Sequence, residues 1–180
     1  MLKSLGIMEF SSIAKGIETG DKMLKAATVE ILMLRHICPG KFMIILTGEI
    51  GDVTEAINSV VGKDKEKIVE STVISNAHED LILSFKKRAP FHCTEAIGVF
   101  ETATVTSSII TLDLALKSAS VRLIKVVLGN GIGGKSYFVI SGSVSSVEEA
   151  IKIAENSINP KKLIYKTIIP SPSEDIINNL

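Results

Sequence analysis

The chain repeats itself, and this internal repeat constrains its fold more than any other feature. The segment that begins at Leu5 aligns without a gap on the segment that begins at Ile97, and the offset stays constant past Lys25 and Lys117. After a slip of two residues in a turn, the alignment resumes and covers both halves almost to their ends. Self-similarity over this length predicts one small domain written twice.

Both copies predict the same order of secondary structure. Apolar runs and helical periodicity predict, in the first copy, strands at 5–10, 29–37, 42–48 and 68–74 and helices at 11–27 and 52–61, and in the second copy strands at 97–101, 121–128, 136–142 and 163–169 and helices at 104–119 and 145–157. The order β-α-β-β-α-β is that of the ferredoxin-like, split βαβ arrangement, with both helices on one face of the sheet. We therefore predict an α+β protein with domains at 1–88 and 89–180, joined by a linker over 86–96.

The composition excludes several classes of function. With 20 basic and 20 acidic residues, the chain has no electrostatic footprint for nucleic acid or an anionic membrane. Its apolar runs are far shorter than the roughly 20 residues that span a bilayer, although 46% of the residues are hydrophobic. We therefore expect apolar surface to be buried between subunits. The two cysteines and the N-terminus, which lacks a signal-like stretch, favour a reduced cytoplasmic protein.

A cysteine lies in the first turn between two strands, Cys38-Pro39-Gly40-Lys41. Within one chain, a lone cysteine without a CxxC partner usually indicates a buried structural residue. Threefold symmetry would change this, because three thiolates could hold three corners of a 4Fe-4S cluster. Pro39 would stiffen such a turn and Gly40 would allow close approach at an axis. His36, one residue away from Cys38, could tune a cluster or be a surface residue.

Other chemically suggestive residues favour structural interpretations. Gly129–Gly134 contains a GxGxxG pattern, but the residues after it predict a strand instead of the helix that a dinucleotide site requires. Glu9 and Glu101 occupy equivalent positions, which favours a shared structural hydrogen bond over acid–base catalysis. Cys93, beside His92 in the linker, has no second ligand at metal spacing. No catalytic motif is recognisable, so we expect no enzyme.

Several segments of both copies resemble those of a known family. Leu-Gly-Ile-Met-Glu-Phe at 5–10, the helix that follows it, and Ile-Gly-Val-Phe-Glu-Thr at 97–102 resemble the shell domain of bacterial microcompartments. Two copies in one chain resemble the tandem-domain shell proteins. The resemblance implies a homotrimer shaped like a hexamer, which lies in a microcompartment shell within the cytoplasm and assembles with other shell proteins.

Three segments indicate a subtype. Residues 37–42, 131–135 and 168–172 together are similar to a tandem shell protein of propanediol-utilisation compartments. That resemblance implies one 4Fe-4S cluster per trimer, held in the central pore by Cys38 of three subunits, with electron transfer to a lumenal or cytosolic redox protein. The residues implied to line the pore are Pro39, Gly40, Lys41, Gly131, Ile132, Gly133 and Gly134.

The resemblance also concerns the edge where shell units meet. It places Lys25 and Lys117 there, and a cation at the end of the first helix is also favourable with the helix dipole. Ser171 stands where many family members carry an arginine at this edge. Two alternatives remain: a shell tile whose pore conducts metabolites without a cluster, and a trimeric small-molecule sensor on the same fold.

Overall fold

Each repeat forms its own four-stranded antiparallel sheet in a computed structural model, which describes residues 3–62, 65–86 and 95–180. The chain divides into two compact units, one ending at Ala77 and the other beginning at His78. The predicted boundary at 88/89 lies outside the described residues, as do His92 and Cys93 of the predicted linker.

The first unit has the predicted order of elements. They are β1 (Ser4–Phe10), α1 (Ile13–Ala26), β2 (Glu30–Ile37), β3 (Lys41–Gly48), α2 (Ile50–Val61) and β4 (Ile68–Ile74). The strands lie in the order β2-β3-β1-β4, which confirms the ferredoxin-like arrangement. Helices α1 and α2 pack against each other and against the sheet. Ser12 caps α1 by accepting a hydrogen bond from the Lys15 amide, as its position predicts.

The second unit repeats this plan with a helix added at each end. Its elements are α3 (Glu79–Phe85), β5 (Ala96–Thr102), α4 (Val105–Ser118), β6 (Val121–Leu128), β7 (Ser136–Gly142), α5 (Val144–Asn156), β8 (Leu163–Pro170) and α6 (Glu174–Asn179). The strand order β6-β7-β5-β8 matches that of the first sheet. Helices α3 and α6 were not predicted from the sequence. Each follows the last strand of its repeat, so they occupy equivalent positions in the two copies.

Glycine lets the second helix of each repeat pack closely on the central strand. A Cβ at Gly98 would lie 2.8 Å from Cγ1 of Val147 and 2.9 Å from Cγ1 of Ile151, both on α5. A Cβ at Gly6, its equivalent on β1, would lie 3.1 Å from Cγ1 of Val53 on α2 and 2.6 Å from Cδ1 of Leu46 on β3. The repeat of glycine at this place therefore follows from the same tight helix-to-sheet packing in both units. Among the described residues, every helix falls short of the length and apolarity that a bilayer crossing requires.

Two glycines of the first unit give a matched test of this packing. A Cβ at Gly16 in α1 would lie 2.3 Å from Cδ1 of Phe42, whereas a Cβ at Gly51 in α2 meets nothing within 4 Å. We expect Gly16→Ala to lower the free energy of unfolding by about 1–3 kcal/mol because it overpacks the core. Gly51→Ala should raise it by up to about 1 kcal/mol, since alanine is the better helix former. Urea denaturation at one protein concentration measures both, and equal effects of the two substitutions would contradict this account.

Candidate functional site

Cys38 begins a three-residue turn between β2 and β3. Ile37, the last residue of β2, is buried, and its carbonyl accepts a hydrogen bond from the Gly40 amide at 3.1 Å. Gly40 has a φ of +85°, a left-handed conformation that glycine adopts without strain. Cys38 is a free, half-buried thiol, while Pro39 and Gly40 are exposed. The turn therefore presents one sulfur atom near its surface.

His36 and Cys38 lie on either side of a buried residue. His36 is exposed, Ile37 is buried and Cys38 is half-buried. This alternation is what a strand produces, because successive side chains point to opposite faces. That the imidazole and the thiol share a face stays a prediction, because β2 ends at Ile37.

A buried ion pair fixes the end of the turn. Nζ of Lys41, the first residue of β3, lies 2.7 Å from Oε1 of Glu9 on β1. The Glu9 side chain is fully buried, and that of Lys41 is largely so. In the second repeat, Lys135 and Glu101 form the equivalent pair at 3.3 Å with more exposed side chains. Both glutamates thus make the shared hydrogen bond that their equivalent positions predict, each with a lysine.

The second inter-strand turn is longer and rich in glycine. Residues 129–135 separate β6 from β7, and Gly129, Gly131, Gly133 and Gly134 all have positive φ. Gly131 and Gly133 are exposed, Ile132 is half-buried and Gly134 is buried. Strand β7 follows, so the GxGxxG pattern does not open a helix as a dinucleotide site requires, and the predicted strand is confirmed. The turn has no cysteine to match Cys38.

One chain offers a single sulfur ligand at this place. Over residues 3–62, 65–86 and 95–180, no three His, Cys, Asp or Glu side chains come together in a way that could hold a metal ion. A thiolate is nevertheless the ligand type that iron–sulfur clusters prefer, and the Cys38 thiol is unpaired and accessible at its turn. The residue therefore fits a cluster only if several chains contribute one thiol each.

The two predicted edge lysines end equivalent helices. Lys25 and Lys117 lie in the last turns of α1 and α4, and each ammonium lies 2.5 Å from an aspartate one turn earlier, Asp21 or Asp113. The tiling role of Lys25 and Lys117 stays a prediction.

Helix α1 also carries an exposed carboxylate with two lysine partners. Hydrogen bonds from Lys22 and Lys15 lower the pKa of the Glu18 carboxyl.

Helix α3 carries contacts that the sequence analysis missed. Oδ2 of Asp80 accepts hydrogen bonds from Nε of Arg122 at 2.8 Å and from the Leu123 amide at 3.3 Å. Oδ1 of Asp113 accepts one from the His78 amide at 2.8 Å. The sequence does carry a signal for this helix, the Glu-Asp pair that occurs at 79–80 and again at 174–175, since acidic residues are enriched in the first turn of a helix.

The sequence and its fold match known proteins. The family described as "BMC domain" matches residues 4–77 and 96–172. The chain is 38% identical over 177 residues to the bacterial microcompartment shell protein PduT of Citrobacter freundii, covering 98% of this chain and 96% of that protein. It is 26% identical to the carboxysome assembly protein CcmO of Synechococcus elongatus, covering 98% of this chain and 68% of that protein.

Solved structures give the same result. The crystal structure of a microcompartment protein from Desulfitobacterium hafniense superposes with a TM-score of 0.90 at 31% identity, over 99% of both chains. A fused, permuted hexameric shell protein, MSM0275, shares the fold with a TM-score of 0.62 at 22% identity, over 84% of this chain and 79% of that one.

The two glutamate–lysine pairs predict unequal effects of the same substitution. Lys41→Met removes the cation from a fully buried carboxylate, so we expect the free energy of unfolding to fall by about 2 kcal/mol or more. Lys135→Met disrupts a longer and more exposed pair and should cost less than about 1 kcal/mol. Chemical denaturation of both variants measures the difference, and a cost at Lys135 equal to that at Lys41 would be inconsistent with it.

Proposed function

The chain belongs to the BMC domain family, and from this premise we propose that it is a structural shell protein of a bacterial microcompartment, built as a homotrimer that carries a 4Fe-4S cluster through Cys38. Three chains with two BMC domains each give a six-domain tile. The likeness to PduT extends over nearly the full length of both proteins and supports a shell role instead of an enzymatic one.

The observation that supports the cluster is the chemistry and placement of one thiol. Cys38 is free and half-buried, in a three-residue turn whose neighbours Pro39 and Gly40 are exposed. If the β2–β3 turn faces the trimer axis, three thiols converge, and three thiolates suit three irons of a cluster. A cluster bound there would supply a one-electron carrier. In that arrangement the tile conducts electrons between the cytosol and the compartment lumen.

The surrounding residues have positioning roles in this proposal. The Glu9 carboxylate holds Lys41, the first residue of β3 and the one that directly follows the Cys38 turn. The exposed Gly131 and Gly133 and the half-buried Ile132 of the second repeat would also line the pore. Because the second repeat has no cysteine in its turn, the trimer presents three thiols and not six.

The proposed location and partners follow from the shell role. The tile lies in the shell of a compartment within the cytoplasm, beside other shell proteins, and Lys25 and Lys117 lie at the tiling edge. A lumenal or cytosolic redox protein would exchange electrons with it. The similarity to PduT and the three matching segments favour a propanediol-utilisation compartment. Ser171, exposed and in place of an arginine, would make this edge less cationic.

Metal analysis of two cysteine variants tests the cluster. After anaerobic purification and reconstitution, we expect a brown protein with about four iron and four sulfide per trimer. Cys38→Ser should lose the iron, the sulfide and the visible absorption, because it removes all three thiolate ligands. Cys93→Ser is the matched control, since it removes the other cysteine of the chain, and it should keep all three signals.

The trimer state is measured in the same samples by light scattering. A wild-type trimer that stays colourless and free of iron after reconstitution would refute the cluster and favour the alternative, a tile whose open pore conducts metabolites. Loss of iron in Cys93→Ser, with iron retained in Cys38→Ser, would show that Cys93 and not Cys38 is the cluster ligand. A wild-type protein that remains monomeric would refute the homotrimer itself.

A further inference from the structure

The two repeats differ most in how much of their first helix is covered. On α4, the side chains of Val105, Ile109 and Leu116 are 0%, 0% and 3% exposed. The equivalent residues of α1 are Ile13, Ile17 and Leu24, and they are 42%, 53% and 46% exposed. Both helices are apolar at these positions, so the first repeat leaves open a face that is covered in the second.

In the second unit, α3 packs against α4 and β6. It is anchored through Asp80, which binds Arg122 and the Leu123 amide, and through the His78 amide, which donates to Asp113. Leu81 of α3 is 0% exposed and completes the contact. The helix that ends the first repeat thus lies against the C-terminal part of α4 and the start of β6 in the second repeat.

Helix α6 ends the second repeat in the same way, but none of its residues is buried against the rest of the described chain. Ser171 follows the last strand of the second repeat with a φ of +47°, and its equivalent in the first repeat, Asn76, has a φ of +48°. The chain therefore leaves both sheets through the same turn. Ile176, the equivalent of Leu81, is 51% exposed, and α6 has no buried residue. The Lys125 ammonium bonds the Leu180 carbonyl and holds the end of α6 beside its own unit.

The open face of the first repeat retains the features that receive α3. Asp21, the equivalent of Asp113, has a side chain 61% exposed, against 4% for Asp113. Strand β2 has a bulge between Ile31 and Met33, at the same place as the bulge after Leu123 in β6. The Ile31 amide therefore corresponds to the Leu123 amide that binds Asp80.

One charge differs, and a neighbouring one compensates for it. Glu30 stands at the position of Arg122, but it is paired with Lys3 at 3.5 Å. Lys3 in turn stands at the position of Glu95, so the cation and the anion have exchanged places between the repeats. A carboxylate that docks on the first repeat would therefore lie near the Lys3 ammonium, as Asp80 lies beside the Arg122 guanidinium in the second.

We propose that α6 docks on the α1–β2 face of a second copy of this chain, as α3 docks on the α4–β6 face within the chain. Ile176 packs on the C-terminal end of the α1 stripe, at Leu24, the Ser173 amide donates to Asp21, and Asp175 accepts from the Ile31 amide with Lys3 nearby. The contact joins two different surfaces, so it is heterologous, and a heterologous contact closes into a ring when its rotation allows. The inference rests on the proposed homotrimer and names the surface that holds it together.

Substitutions at the tail test the contact. Ile176→Glu places a charge on the buried side of the interface, and we expect the dissociation constant of the trimer to rise at least about tenfold, since each trimer contains three such contacts. Deletion of residues 173–180 should have a larger effect. Ile153→Glu is the control, because Ile153 is an exposed α5 residue whose equivalent in the first repeat, Ser59, is already polar. Sedimentation velocity over a dilution series measures all four proteins.

Engineered cysteines report the pairing directly. In a Cys38→Ser/Cys93→Ser background, Ser173→Cys with Asp21→Cys should form disulfides between chains and give dimer and trimer bands on a non-reducing gel. His78→Cys with Asp113→Cys should form the equivalent bond within one chain. A trimer that is unchanged by Ile176→Glu and by the deletion, and that forms no bond between chains, would overturn the docking but leave the homotrimer intact. A monomeric wild-type chain would overturn both.

Discussion

The buried carboxylate of Glu9 is the constraint on which the Cys38 turn depends. A carboxylate removed from water requires a cation or several donors, and Lys41 supplies an ammonium at 2.7 Å. Glu9 lies opposite Met43 in the β1–β3 register, so Lys41 is its diagonal neighbour on the adjacent strand. Lys41 also pairs with Ile37 in the β2–β3 register, so only Cys38, Pro39 and Gly40 remain for the turn. The thiol is held by a short loop whose far end is anchored in the core.

The second repeat shows what the scaffold allows when this constraint is relaxed. Its equivalent pair, Glu101 and Lys135, is longer and more exposed, and the turn before it extends over 129–135 with four glycines at positive φ. The sheet order and the glycine under the second helix are unchanged. The two repeats have thus kept one core while their turns diverged, and a chemically distinct turn appears once in each chain.

Much of this fold could be predicted from the sequence because its signals are local and occur twice. Strands β4, β6 and β7 have the predicted bounds, and the other predicted elements differ by only a few residues at their ends. Helices α3 and α6 were missed because six or seven residues are too few to show helical periodicity. The complete burial of Glu9 was missed as well, since the sequence predicts a strand with a polar position but not what covers it.

The candidate site was predictable only in part, for a different reason. A turn with a cysteine can be read from the residues, and the structure confirms the turn and the free thiol. The further thiolates that the proposed cluster needs would come from other chains, so no pattern within the sequence could identify them. The same holds for the apolar stripe of α1, because Ile13, Ile17 and Leu24 are as apolar as their covered counterparts on α4. What covers such a face is decided by tertiary and quaternary contacts, which periodicity cannot report.

In the proposed ring, the exchanged charges would favour docking of α6 on the first repeat of a second copy over docking on its second repeat. Asp80 meets Arg122 within the chain, whereas Asp175 would meet Glu30 and Lys3 in a second copy. A tail that docked on the wrong kind of repeat would face a different arrangement of charges, and such mismatches select between otherwise similar interfaces. Because the second repeat has no cysteine in its turn, a homotrimer assembled in this way would present three thiols, the number that suits a cluster with one iron left for a ligand from outside the protein.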